Sequence, residues 1–207
     1  MMDYTRETCR EFTALLASAD PAPGGGGAAA LAAALGAALG GMVGALTAGK
    51  KSYAPVEAEI QAAMTELTSL RLRLLDMVQA DAEGFEPLAA AYKLPKEQPD
   101  RENVLEAATL RACQAPMEMM DLCCRALEQM AVMAEKGSRL AVSDAGCGAA
   151  LLKAGLDAAA LNVYINTRSL QDRAEADRLN AACRQMQQRY GALAEKIYND
   201  VKAALLR

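Results

Sequence analysis

The chain has 207 residues, a formal net charge of −4, 53 % hydrophobic residues and only 4 % aromatics, with no Trp and two Phe. That length suits a single domain, expected over residues 1–207, and a core built from Ala, Leu, Met and Val suits close-packed helices. It argues against a sandwich or barrel, which draws on aromatic and β-branched strands. The acidic balance offers no footprint for nucleic acid. Six cysteines without a Cys-x-x-Cys pair, in a chain without histidine, argue against a zinc site.

The N-terminus has no basic–apolar–cleavage pattern, so the expected setting is the cytoplasm, with the cysteines as reduced, buried thiols. Without histidine, any general acid or base must be Asp, Glu, Lys, Tyr or Cys.

Asp3 is placed to cap a first helix reaching about Ser18, with Phe12, Leu15 and Leu16 facing inward. Pro21-Ala-Pro23 then forces an extended entry to four glycines, Gly24 to Gly27. From Gly24 to Gly49 no residue is charged. The run is too long for a strand and is rich in helix formers, so it reads as a helix from the glycines to about Lys50 and Lys51. Ala28, Ala32, Gly36, Gly40, Gly44 and Ala48 recur every four residues and share one side. Glycine inside a helix costs roughly 1 kcal/mol relative to alanine, so the row implies close approach of a neighbour: a packed helix, or in part a ligand. A membrane span fits by length, but the low hydrophobic payload favours a helix buried all round. The amides of Gly24 to Gly27 suit an anion or carbonyl oxygen. Lys50 and Lys51 suit the helix C-terminal dipole.

Ser52 and Pro55 open a third helix. Ile60, Met64, Leu67, Leu74, Val78 and Phe85 form its buried stripe, with Arg71 inside the stripe and Asp81 on its flank. Ten positions separate the two charges, about 15 Å, so they cannot pair on one straight helix. Asp81 is therefore either half of a structural ion pair with another element or a carboxylate of shifted pKa in a cleft. Pro95 and Pro99 mark a loop, and Asp100 suits the cap of a fourth helix. Pro116 should kink that helix, and its methionines read as core.

Ser143 or Asp144 suits the cap of a fifth helix, again rich in Ala and Gly. Asn162 and Asn166, four apart near its end, share one face and read as a polar lining. Asp172-x-x-Glu175 resembles a capping box opening the last helix. The expected fold is all-α: a compact bundle of about six long helices around a buried Ala/Gly-rich central helix.

Four stretches in order resemble the cyclodeaminase/cyclohydrolase family: Pro21 to Lys51; Ala80-Asp81-Ala82-Glu83-Gly84-Phe85 followed by Leu94-Pro95; Val142-Ser143-Asp144-Ala145; and Ala160-Leu161-Asn162-Val163-Tyr164-Ile165-Asn166. The resemblance implies an all-helical homodimer acting on one-carbon tetrahydrofolates without metal or organic cofactor. It places the family's catalytic carboxylate on Asp81. The family usually has Ser where Gly27 stands, and Asn where Ser138 and Leu140 stand.

Two reactions fit. A cyclohydrolase opens 5,10-methenyltetrahydrofolate to the 10-formyl form; a cyclodeaminase closes 5-formiminotetrahydrofolate and expels ammonia. The chain carries no transferase domain, which tilts the expectation to the cyclohydrolase. The rival of another class is a non-catalytic helical dimer that binds a folate-like ligand. For the enzyme, Asp81 moves the proton. Asp144, Asn162 and Asn166 are candidates for the pterin, Gly24 to Gly26 for backbone donors to a folate oxygen, and Lys50 or Lys51 for the glutamate tail; Pro23 and Ser143 complete the candidate substrate-binding set. No nucleic acid or membrane partner is expected.

Overall fold

A computed structural model describes residues 3–207. Six α-helices occur among them: α1 Cys9–Leu16, α2 Gly25–Ala45, α3 Glu57–Tyr92, α4 Arg101–Lys136, α5 Val142–Thr167 and α6 Arg173–Leu205. The described residues contain no strand.

The first helical segment is shorter than its sequence suggests. Asp3 caps only a 3-10 turn, Tyr4–Arg6, and Glu7 is extended. Thr8 then caps α1 in a reciprocal box with Glu11, each side chain meeting the other's backbone N–H. A cap that satisfies two free N–H groups at once restarts the helix there.

The central helix ends at Ala45, before the lysines. Leu46 to Gly49 turn away, and Gly49 takes a φ of +75°, which only glycine adopts at little cost. Lys50 and Lys51 therefore lie outside the last turn of α2. Ser52 and Pro55 belong to a 3-10 turn, Lys51–Val56, and α3 begins at Glu57.

The small-residue row is a seam within the chain. A β-carbon at Gly36 would stand 2.8 Å from Leu152 Cγ and 2.9 Å from Gly148 O of α5; one at Gly40 would meet Leu67 and Met130, each at 2.9 Å. The α2–α5 contact runs antiparallel. Gly25 faces Asn162, Gly155 faces Ala29 and Ala33, and Gly36 faces Gly148. Two backbones approach this closely only where side chains are absent or small.

α3 and α4, each 36 residues, form a long hairpin of about 54 Å. Its register is marked by ion pairs from Lys136 to Glu59, Arg125 to Glu66 and Arg73 to Glu118. Met119, Met120, Met130 and Met133 fill the core behind α2. α4 continues across Pro116. Asp100 stands at its N-cap but accepts from Asn103 Nδ2 rather than from a backbone N–H. The cap of α5 is Ala141, so Ser143 and Asp144 fall inside its first turn and cap nothing. Asp172 does cap α6, accepting from Glu175 N at 3.0 Å, whereas the Glu175 carboxylate pairs with Arg178.

The expectation that α2 is buried all round does not hold. Ala28, Leu31, Leu35, Ala38, Met42 and Ala45 are half-buried or exposed, with Leu35 at 53 % and Met42 at 49 %. On α5, Cys147, Leu151, Ala154, Ala158, Leu161 and Ile165 do the same, Leu161 at 68 % and Ile165 at 62 %. Both stripes step three and four residues at a time, the spacing of a helix–helix seam. α2 and α5 both pack on α4, so their uncovered stripes face away from it. Gly25–Ala45 and Arg139–Thr167 are also long and apolar enough to cross a membrane by length and composition; about half of each, 50 % and 44 %, is buried in the bundle.

Candidate active site

The glycine entry delivers the N-terminus of α2 to the middle of α3. Gly24 is the N-cap and offers no side chain, so the first amides of α2 lack an internal partner. The Asp81 carboxylate sits against this helix end, so close to Gly26 that any β-carbon there would overlap it. Two influences oppose each other at Asp81. Burial disfavours the charged form, and the N–H of Gly27 favours it. Burial dominates, and the pKa rises from 3.8 to about 6.

No ion pair among the described residues involves Asp81. An ion pair with another element of the described chain is therefore absent, and Asp81 lies in a cleft. Arg71, its supposed counterpart on the stripe, is half-buried beside Met42 and Ala45 of α2 and likewise has no ion pair.

Asp81 opens into a cleft of about 180 Å³, walled by Pro21, Gly24 and Gly25, by Phe85 of α3, by Ala112 and Pro116 of α4, and by Asn162, Ile165 and Asn166 of α5. Both asparagines face it, as their spacing suggests. Asn162 Nδ2 donates to Ala158 O at 2.9 Å, and Asn166 Nδ2 donates to Ala112 O at 3.2 Å. Pro21, Phe85, Pro116 and Ile165 extend the site beyond the candidates named from sequence. Pro116 was legible only as a proline inside a helix.

The other candidates are elsewhere. Pro23 is buried and packs beside Gly27 rather than lining the cleft, and the peptide before it is cis. Gly26 lies buried under Asp81 and does not line the cleft. Lys50, Lys51, Ser143 and Asp144 gather at the far end of the α2–α5 pair. There Ser138 N donates to Thr47 Oγ1 at 2.8 Å and Arg139 N donates to Tyr53 Oη at 3.1 Å. From Asn162 to Ser143 is about 28 Å along α5, so one chain does not bring the two groups together.

A roomier groove of about 490 Å³ runs between α5 and α6. Its charges are already committed to one another, Lys153 to Asp157 at 2.9 Å and to Glu195 at 3.6 Å. Among the described residues no three His, Cys, Asp or Glu side chains converge as a metal site would require.

The profile of the formiminotransferase-cyclodeaminase family matches residues 8–185. The chain belongs to that family. It is 40 % identical over 202 residues to methenyltetrahydrofolate cyclohydrolase of Methylorubrum extorquens, covering 95 % of this chain and 97 % of that one. It is 29 % identical over 167 residues to the formimidoyltransferase-cyclodeaminase of Rattus norvegicus, 79 % of this chain but only 31 % of that larger protein. The crystal structure of formiminotetrahydrofolate cyclodeaminase from Thermotoga maritima superposes with a TM-score of 0.90 at 25 % identity, covering 97 % of this chain and 98 % of that one. The all-helical fold is thus that of the formiminotransferase-cyclodeaminase family.

Proposed function

We propose that this chain is a methenyltetrahydrofolate cyclohydrolase, with Asp81 as the group that moves the proton. The observation that carries this is a carboxylate without an ion pair among the described residues, held in a cleft with its pKa raised to about 6. The relative that matches end to end at 40 % identity, a methenyltetrahydrofolate cyclohydrolase, supports this substrate.

The chemistry follows from the carboxylate. The methenyl bridge between N5 and N10 is a cation, and ionised Asp81 stabilises it. Water adds to the bridge carbon, and Asp81 takes one of its protons as general base. As the bond from that carbon to N5 breaks, Asp81 returns the proton to N5. The remaining hydroxyl proton leaves to solvent, and the product is the 10-formyl form. A pKa near neutrality serves both directions of transfer. The reaction as written asks for neither metal nor organic cofactor. We place it in the cytoplasm, where the six free cysteines stay reduced.

The site reads as half of a composite one. Clefts that enclose a drug-sized ligand hold about 300–1,000 Å³, more than the 180 Å³ here. Lys50, Lys51, Ser143 and Asp144 lie at the opposite end of α2 and α5. The uncovered stripes of those helices suit an antiparallel second copy, which would bring its far end to the cleft of the first. The partner is therefore a second copy of this chain. Its Lys50 or Lys51 meets the glutamate tail, and its Ser143 and Asp144 approach the ring.

Loss of methenyltetrahydrofolate absorbance measures the activity. Hydration faster than in buffer supports the cyclohydrolase. Ammonia release from 5-formiminotetrahydrofolate without it would move the assignment to the cyclodeaminase. Saturable folate binding with neither reaction would leave a binding protein.

A further inference from the structure

Pro116 lies inside α4 and is buried. Proline supplies no N–H to the carbonyl four residues earlier, which here belongs to the buried Ala112. A buried carbonyl left without a donor is costly. The donor comes from another helix: Asn166 Nδ2 of α5, at 3.2 Å. Since a carbonyl only accepts, the nitrogen of that amide must face it, and Oδ1 points elsewhere. Asn162, one turn earlier, is oriented in the same way by Ala158 O at 2.9 Å. Neither Asn oxygen accepts a hydrogen bond among the described residues, and neither is sealed from solvent. Both side chains line the cleft that holds Asp81.

We propose that Pro116 is a positioning residue of this site. By leaving Ala112 O free it ties the nitrogen of Asn166 to α4 and turns the oxygen to the cleft, so that Asn162 and Asn166 act as a pair of acceptors for N–H donors of the bound ring. This rests on the folate reading above, in which a reduced pterin supplies those donors. Restoring an N–H at position 116 gives Ala112 O its own helix partner and releases the Asn166 amide to rotate.

The test is a cycle of Pro116→Ala, Asn166→Ala and the double variant, assayed with 5,10-methenyltetrahydrofolate, with Pro116→Val retaining more of the proline's bulk. One lost acceptor corresponds to roughly a three- to tenfold rise in KM. The expected result is that rise in both Pro116 variants, with kcat and the acid limb of the pH profile unchanged, and no further rise when Asn166 is already Ala. An unchanged KM in both Pro116 variants overturns the proposal, as does an equal rise in the Asn166→Ala background. If the wild-type chain turns over neither methenyl- nor formiminotetrahydrofolate, the folate reading fails, and the Asn166 side-chain amide followed by ¹⁵N NMR decides the positioning. A hydrogen-bonded signal lost in Pro116→Ala sustains it; identical spectra overturn it.

Discussion

Asp81 rests on Gly26 with no room between them for a side chain: a β-carbon on Gly26 would overlap the carboxylate. One position on, a β-carbon on Gly27 would make only ordinary contacts, 3.5 Å to Pro23 and 3.7 Å to Val78. The two neighbouring glycines should therefore respond oppositely. Gly26→Ala should displace the carboxylate and lose turnover. Gly27→Ala should keep turnover and raise stability by about 0.4–1 kcal/mol through the unfolded chain. Gly27→Ser, the residue usual in the family, should likewise be tolerated. Turnover and melting of the three variants check this, and equal losses at positions 26 and 27 would contradict it.

Asp81→Asn keeps the shape and removes the charge and the exchangeable proton. Turnover should fall by about 10²–10⁴-fold, measured under saturating methenyltetrahydrofolate.

The same substitution has a pH signature in stability. The folded pKa of Asp81, about 6, lies above its ordinary 3.8, so between those values the folded state binds the proton more tightly than the unfolded chain. Stability from this group is complete below about pH 4 and is lost as pH rises through 6. The displacement corresponds to on the order of 3 kcal/mol. Asp81→Asn should thus melt higher than the wild type at pH 8, and the gap should close near pH 4. A gap independent of pH would mean that the Asp81 carboxyl is not held in this environment. In wild-type turnover, kcat/KM should fall as pH drops below about 6, because the base is then protonated.

The row from Gly36 to Gly44 predicts a folding defect rather than an assembly defect. At Gly36 a β-carbon would press on the backbone oxygen of Gly148, which cannot rotate away. Overpacking of this kind typically costs about 1–3 kcal/mol, or roughly 2–4 °C in melting temperature per kcal/mol at this size. Gly36→Ala should melt lower; wild-type melting would show that the α2–α5 contact yields.

The outward stripe predicts the assembly. Leu35→Glu puts a charge on an uncovered apolar helix face without touching the core. It should convert a dimer into a monomer by light scattering and reduce turnover, since the far end of the partner is lost with it. A wild-type protein that is already monomeric, or that sediments with vesicles, would remove the second copy from the site.

Helix content was legible because it rests on local physics. Ala and Leu favour helix, glycine and proline punctuate it, and the stripe of α3 recurs at helical spacing. Asp81 stood out for the same reason, as a charge on the flank of an apolar row. The pairing of Asn162 with Asn166 also follows from one helix turn. By itself the sequence determined the helical content and the all-α class, and it singled out Asp81 as a charge in need of a reason. What each side of a helix touches was decided by the tertiary structure, because burial depends on neighbours far along the chain. Periodicity alone left both a ligand and a neighbouring helix open for the glycine row, and only the packed bundle identifies the neighbours: α5 at Gly36, and α3 and α4 at Gly40 and Gly44. The same packing leaves about half of α2 uncovered. The separation of Lys50 and Asp144 from Asp81 comes from the rigid length of α2 and α5, and the link from Pro116 to Asn166 spans two helices. A missing N–H on one and an amide on the other become one interaction only when the bundle packs.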